Sequence, residues 1–368
     1  MYPFNSDASY ARKRWYVAAY SSEVGRTPLE RTLLDTPVVL FRTESGNIVA
    51  MYGLCPHRYY PLALGRLEGD SIVCGYHGFT FASNGKCVRV PAQNGGNSFS
   101  QPTYKTIERG PWIWIWLGDP EFADPGLLPP HEDFGLDVPS WACCSANHFL
   151  LKARSQLLID NLMDLTHVAF IHGSLIDADV LITSQIQQRQ RERSFRVSRL
   201  TAMGWSSFHD LLFGPQNRFD GLSKVDALTD FYGPELIRTS GPITTQIDNY
   251  DTVPASIGEL YFLHAVTPAT RTTTHYFGLI TRNYRLDDPA FDEVMTNMDR
   301  SVRQQDVDAL ENIELRLDDA AARQRELLVR SDSAAAKVRT LIQEMISRES
   351  RNDHMGARSA DMDSRIND

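Results

Sequence analysis

The sequence predicts an α+β protein in which strands and helices are segregated along the chain. Residues 15–117 are short β-rich runs broken by turn signals, whereas the later part sets helical blocks around a strand-rich one. Between these textures, residues 118–140 hold five of the 19 prolines and few periodic apolar residues, as a connector does. The expected boundaries are an all-β N-terminal domain over 1–125, a connector over 126–140, a second domain over 141–350 and a disordered tail over 351–368.

Pro37–Phe41 and Ile48–Tyr52 flank Glu44-Ser45-Gly46-Asn47, a hairpin by its Gly/Asn turn and β-branched arms. Phe79–Phe81 and Cys87–Val90 repeat the pattern around Ser83-Asn84-Gly85. Trp112–Trp116 is dense in β-formers and reads as a strand buried on both faces rather than an aromatic binding wall. Beyond the connector, residues 151–172 read as helical. From about 193 to 285 strands dominate, with Phe208–Phe213, Leu260–Val266 and Thr272–Thr281 among them. Residues 289–349, rich in Ala, Glu, Arg, Leu and Gln, turn helical, and the polar, small-residue tail is expected to be disordered.

Composition narrows the function. The 37 Lys+Arg against 46 Asp+Glu leave a net charge of −9, which argues against a phosphate-reading surface. No stretch approaches the roughly 18–20 apolar residues of a membrane span. The N-terminus lacks the basic-then-apolar build of a secretory signal, and five cysteines are sparse and odd in number. A cytoplasmic protein without nucleic-acid or membrane partners is expected.

The first chemical signal is Cys55-Pro56-His57 followed, after sixteen intervening residues, by Cys74-Gly75-Tyr76-His77. Each half offers one thiolate and one imidazole from the end of a strand. Structural zinc takes the same residue types, but its cysteines are usually spaced by two to four residues and C-x-H is short for that geometry. Two cysteines and two histidines divided over two loops fit a [2Fe–2S] cluster whose irons are ligated unequally, the Rieske arrangement. Imidazole in place of thiolate removes negative charge and raises the potential to somewhere in roughly −150 to +300 mV.

The second signal is the run from Asp160 to Gly173. Asp164 and His167 are three apart and share a helical face. His172 lies about 140° round an unbroken helix from His167, so both imidazoles reach one ion only if the helix bends or ends between them, with Gly173 as a terminator. Two ordinary helix histidines are the alternative. The facial triad of O2-activating ferrous sites needs one carboxylate more. Val294, Met298, Val302, Asp306 and Leu310 step by four along the late helix, joined by Ile313 and Leu317, so Asp306 interrupts an apolar stripe. A buried carboxylate there calls for a cation. Asp299 and Asp308 are expected on the solvated face. His264, near Tyr261 and Phe262, either lines a substrate pocket or is a hydrogen-bonded core histidine, while His209 and His275 are expected to be structural.

The segment from Cys55 to Phe81 resembles the cluster-binding segment of the Rieske non-heme iron oxygenases, in its ligands and in Arg58, Pro61-Leu62, Gly65 and Gly78. Tyr59-Tyr60 departs from the smaller residues common there. The run Asn161-Leu162-Met163-Asp164-Leu165-Thr166-His167 with His172 resembles the mononuclear iron site of the same family. The likeness is to its oxygenase (alpha) components of the dicamba and vanillate O-demethylase type, supported by His264–Pro268 and His275–Asp288.

This resemblance implies a Rieske domain followed by a helix-grip catalytic domain, an antiparallel sheet with helices. Cys55, His57, Cys74 and His77 would bind the cluster, and His167, His172 and Asp306 the mononuclear Fe(II). Asp164 would bridge to a Rieske histidine, His77, of a neighbouring subunit in a head-to-tail homotrimer, with Asn161 beside the iron. Electrons would come from NAD(P)H through a separate ferredoxin or flavin reductase. The implied activity is O2-dependent O- or N-dealkylation of a small aromatic compound. Ring or methyl hydroxylation of an aromatic acid is the nearest alternative. A non-catalytic Rieske electron carrier and a zinc-binding module are alternatives from other classes.

Overall fold

The structure, a computed structural model, describes residues 10–93, 99–173, 179–218, 220–246, 256–317 and 326–364. Two compact units emerge. One comprises Ala8–Leu128 with Thr267–Arg271 and Glu344–Asp368, the other chiefly Pro129–Val266 and Thr272–Gln343. The first unit takes a hairpin tip and the end of the last helix from distant sequence.

The N-terminal part of the first unit is all-β, as expected, and is built from three small antiparallel sheets. Trp15–Tyr20, Trp112–Trp116 and Lys105–Arg109 form one; Leu29–Leu33, Thr36–Arg42 and Ile48–Tyr52 the second. The third orders Arg66–Glu68, Ser71–Val73, Thr80–Phe81 and Cys87–Arg89. Both expected hairpins are present, with Arg42 opposite Ile48 and Phe81 opposite Cys87. Alternation along Thr36–Arg42 sends Val38 and Leu40 into one core with Tyr16, Ile113 and Ile115. It sends Val39 and Phe41 into another with Met51, Phe81, Cys55 and Cys74. The cluster loops thus stand on a strand packed on both faces. All three tryptophans of Trp112–Trp116 are buried, as a core strand requires.

The second unit is an eight-stranded antiparallel sheet. Its order is Ala142–Leu151, Thr273–Arg282, Ser256–Thr270, Leu236–Thr239, Leu222–Gly233, Phe195–Gly204 and Ile186–Gln190, with Pro242–Gln246 paired to Leu222–Gly233 and Ser256–Thr270. Helix Pro289–Glu314, capped by the Asp288 carboxylate accepting from Phe291 N–H, packs along Ala142–Leu151. Among the described residues no helix is long and apolar enough to cross a membrane.

Four expectations are corrected. Phe208–Phe213 lies in the short helix Ser207–Phe213, not a strand, because the Ser206 hydroxyl and the His209 ring form a capping box at its start. The region 151–172 is not one helix: Ser155–Met163 ends, Leu165–His167 is a single 3-10 turn, and Val168–Ile171 is a further short helix. Asp299 is buried rather than solvated, because Arg303, Ser145 and Asn147 surround its carboxylate. The last helix runs from Ser333 to Ser364 through most of the tail expected to be disordered, a stretch that contains no proline and keeps helix-forming Ala, Met and Arg. Residues 365–368 lie outside the described residues.

Gly278, paired with Asn147, lets the buried Arg303 lie against the sheet; a Cβ there would come within 2.3 Å of Arg303 Nε. Since Arg303 is held by several partners, Gly278→Ala is expected to lower the unfolding free energy by about 1–3 kcal/mol. Urea denaturation checks this, and an unchanged midpoint would show that Arg303 is free to move.

Candidate active site

The two cluster loops are built alike. Cys55 N–H donates to the Tyr60 carbonyl and Tyr59 N–H donates back to Cys55; Cys74 N–H donates to Phe79 and Gly78 N–H donates back to Cys74. The fifth residue of each loop takes the left-handed conformation, Gly78 at φ 71° and Tyr59 at φ 56°. Tyr59, where a smaller residue is common, therefore holds the same strained turn and points its ring to solvent. Both thiols are buried and both imidazoles exposed, so the ligands come at two depths. The rings of His57 and His77 lie 4.6 Å apart. Burial pushes the Cys55 thiol up to about 11, against the pull of the backbone N–H groups of His57 and Arg58.

The four donors do not close on one point. Among the described residues the one set of three or more that does is His167, His172 and Asp306, with ligand atoms within 4.8 Å of one another. That contrast fits a cluster with separated irons at the first site and a single ion at the second, and argues against tetrahedral zinc at the first.

Local backbone makes the second site. Asp164 is extended (φ −120°, ψ 99°); it ends helix Ser155–Met163 and accepts from Thr166 N–H to start the next turn. Asp164 is thus not on a helical face with His167. The break lies at Asp164 itself, and His172 terminates the helix that follows, with Gly173 after it. His167 Nδ1 is 2.6 Å from the Asp164 carbonyl and His172 Nδ1 is 2.9 Å from Gln305 Oε1. Both acceptors fix a proton on Nδ1 and leave the Nε2 lone pairs inward. These nitrogens lie 3.5 and 3.1 Å from Asp306 Oδ1, which also accepts from Asn161 Nδ2 at 3.0 Å. Three acceptor atoms converging in a buried place fit a cation. Burial lowers the His167 pKa below its ordinary value. Burial opposes charge at His172 too, but the hydrogen bond and charge of Asp306, with Gln305, outweigh it and raise that pKa.

Asp306 lies on the buried face of helix Pro289–Glu314 as expected, and Asp308 is exposed. The apolar stripe is rotated from the expected one. Phe291, Met295, Val307 and Leu310 are buried, whereas Val294 and Ile313 are exposed and Met298 and Val302 line a cavity.

That cavity, of about 180 Å³, is bounded by His167, His172 and Asp306 at one end and by Leu162, Leu165, Phe262 and Ile243 elsewhere. His264 lines it and is also hydrogen-bonded in the core, to Thr239 and Tyr276. His209 caps its helix yet lines the cavity, and His275 pairs with His148 as a structural histidine. A second cleft, of about 620 Å³, opens onto the other side of Asn161, Asp164 and His167. Two residues of the site were not anticipated. Gln305 orients His172, and Arg199, only 1% exposed, donates from Nη2 to Asp164 Oδ1 at 3.0 Å. Alternation of Phe195, Val197, Arg199 and Thr201 along a strand was the available signal for Arg199.

Residues 14–105 match the Rieske [2Fe-2S] domain family, and residues 151–348 the vanillate O-demethylase oxygenase C-terminal domain family. The chain is 32% identical over 296 residues to the oxygenase component of dicamba O-demethylase from Stenotrophomonas maltophilia, covering 78% of this chain and 83% of that one. It is 30% identical over 351 residues to the oxygenase component of chloroacetanilide N-alkylformylase from Rhizorhabdus wittichii, covering 93% and 97%. The crystal structure of dicamba monooxygenase bound to 3,6-dichlorosalicylic acid matches with a TM-score of 0.83 at 28% identity, over 93% of this chain and 99% of that one.

An iron–sulfur domain and a mononuclear iron site in one chain define an O2-dependent oxidoreductase, an oxygenase fed through its own [2Fe–2S] cluster. The chain belongs to the Rieske non-heme iron oxygenases, with the oxygenase components of dicamba and vanillate O-demethylase. Its relatives are components or subunits of multicomponent systems, so a separate partner supplies its electrons.

Arg199→Met leaves Asp164 with only the Thr166 N–H. Breaking a buried pair costs about 3–5 kcal/mol, and the partly wet Asp164 carboxylate reduces this to roughly 2 kcal/mol, with Arg199→Lys losing less. Denaturant midpoints of the two variants check the order; equal midpoints would show that the Arg199–Asp164 pair does not stabilise the fold.

Proposed function

We propose that the chain oxidatively dealkylates a small aromatic compound at oxygen or nitrogen, with His167, His172 and Asp306 holding Fe(II) and Cys55, His57, Cys74 and His77 holding the cluster. The observation that carries the reading is the convergence of His167 Nε2, His172 Nε2 and Asp306 Oδ1 beside a mostly apolar cavity. A non-catalytic electron carrier has no use for either. Bound Fe(II) supplies reductive O2 activation, and hydroxylation of an alkyl carbon on O or N lets that group leave as an aldehyde.

The chain's own residues do the rest. The Asp164 carbonyl and Gln305 Oε1 hold the imidazole protons on Nδ1, so both rings present lone pairs at Nε2. Asn161 Nδ2 donates to Asp306 Oδ1 and sets the orientation of its carboxylate. Leu162, Leu165, Val168, Phe262 and Val302 exclude water and press the alkyl group toward the open side of the triad.

Asp164 accepts from Arg199 and borders the outer cleft, which supports a role bridging to His77 of a neighbouring copy. Such a bridge requires head-to-tail contacts that close into a ring, and a homotrimer is the proposed assembly. The partner that supplies electrons is a ferredoxin or flavin reductase drawing on NAD(P)H, and the free thiols support a cytoplasmic setting.

His167→Ala is expected to remove the mononuclear iron and abolish aldehyde release, while the cluster's visible spectrum stays unchanged. Iron analysis, absorption and formaldehyde assay on N-methyl and O-methyl arenes measure all three. Retained turnover in this variant would refute the triad.

A further inference from the structure

The two cluster loops close alike, and the residue that closes each carries an aromatic ring. Cys55 N–H donates to the Tyr60 carbonyl and Cys74 N–H to that of Phe79, so Tyr60 and Phe79 stand at the same place, five positions after the cysteine of their loop. Their rings cross over. Phe79 belongs to the second loop, yet it stacks on His57 of the first, with centroids 4.9 Å apart and planes 11° from parallel. Tyr60 belongs to the first loop, yet its ring meets that of Tyr76 in the second at 5.6 Å. A Cβ on Gly75 would lie 3.4 Å from Tyr60 Cε1, so the same ring also reaches the backbone of the second loop. Tyr76 in turn lies against His77, with centroids 3.9 Å apart.

The rings of Tyr60, Tyr76, His77, His57 and Phe79 thus form one row. Its two ends are anchored: Tyr60 and Phe79 are half-buried and pack on the core that contains Cys55 and Cys74. Its middle is not, since Tyr76 and both imidazoles are exposed. Tyr60 therefore backs an exposed ring that covers a cluster ligand. One-electron reduction adds a negative charge to a [2Fe–2S] cluster, and water near the ligands stabilises that charge, so the apolar cover around such a site sets its potential. Ring carbon on the flank of an imidazole displaces water and offers no donor in its place. The aromatic clasp opposes reduction.

We propose that Tyr60 is a positioning residue that acts through Tyr76: it holds the Tyr76 ring over the His77 side of the cluster, excludes water there and lowers the reduction potential. The proposal rests on the assignment of the cluster to Cys55, His57, Cys74 and His77. It concerns how readily the chain accepts an electron from its partner, not which substrate it oxidises.

The test is a potentiometric titration of the holoenzyme at fixed pH, followed by visible absorption and by paramagnetic resonance of the reduced cluster. Iron and sulfide are measured first on every preparation. Tyr60→Ala is expected to favour reduction about three- to tenfold, a rise of roughly 30–60 mV at ~59 mV per decade for one electron. Tyr60→Phe keeps the ring and is expected to stay at the wild-type potential. Tyr76→Ala is expected to rise as Tyr60→Ala does and the double variant no further, because the two side chains act as one unit. An unmoved potential in Tyr60→Ala overturns the proposal. Additive rises in the double variant overturn the route through Tyr76, and equal rises in Tyr60→Phe and Tyr60→Ala assign the effect to the phenol hydroxyl instead of the ring. Where Tyr60→Ala fails to assemble its cluster, Tyr60→Val is read in its place with the same expected sign. Wild-type protein without two irons and two sulfides in this domain refutes the cluster assignment itself, whereas a normal cluster with an unmoved potential refutes the clasp alone.

Discussion

The metal site depends on where one helix stops. His172 lies five positions beyond His167, a spacing that turns two side chains about 140° apart on continuous helix. The extended backbone at Asp164 ends the helix before His167, and the chain restarts as a tight turn and a short helix that finishes at His172. Asp164 also offers its carbonyl to His167 Nδ1 and its carboxylate to Thr166 N–H and Arg199. The residue that breaks the helix therefore also aims the first imidazole. Its carbonyl does so whatever the side chain, whereas the carboxylate can serve the outer cleft.

The second imidazole is aimed from elsewhere. Gln305 and Asp306 are consecutive on helix Pro289–Glu314, and one orients His172 while the other faces its Nε2. Docking this helix on strand Ala142–Leu151 thus closes the triad and fixes the His172 tautomer in one step. Geometry then needs only side chains already held by packing, the condition under which ligands stay within the small tolerances a metal requires.

Much of this was legible from residues whose chemistry is costly to hide. Cys55, His57, Cys74 and His77 announce themselves by type and spacing, and Asp306 by a carboxylate in an apolar stripe. The stripe was nevertheless read with the wrong phase. Asp299 and Arg303, four apart, are buried as a pair, and a pattern counting only apolar residues treats both as solvent-facing. Phe208–Phe213 looked like a strand because its aromatic content outweighed the Ser206 and His209 signals that start a helix. The helix break at Asp164 was invisible for a different reason: a side chain accepting from the residue two on competes with the helix only once the carbonyls around it find other partners. The fold class follows from local pattern, while the site's precision comes from contacts such as His172 with Gln305, 133 residues apart.

The buried Asp299–Arg303 pair explains more about hydrogen-bond direction than about stability. Replacing such a pair with apolar residues of equal volume is often neutral or stabilising, so its presence beneath a cavity calls for another account. Arg303 is a group that donates only, and its hydrogens set the sense of each hydrogen bond beyond it, through His264 to Thr239. The guanidinium charge is cancelled by Asp299 while its direction survives. A guanidinium at the cavity wall thus sets the direction of the hydrogen bonds around it, and a network of satisfied partners holds that direction rigidly.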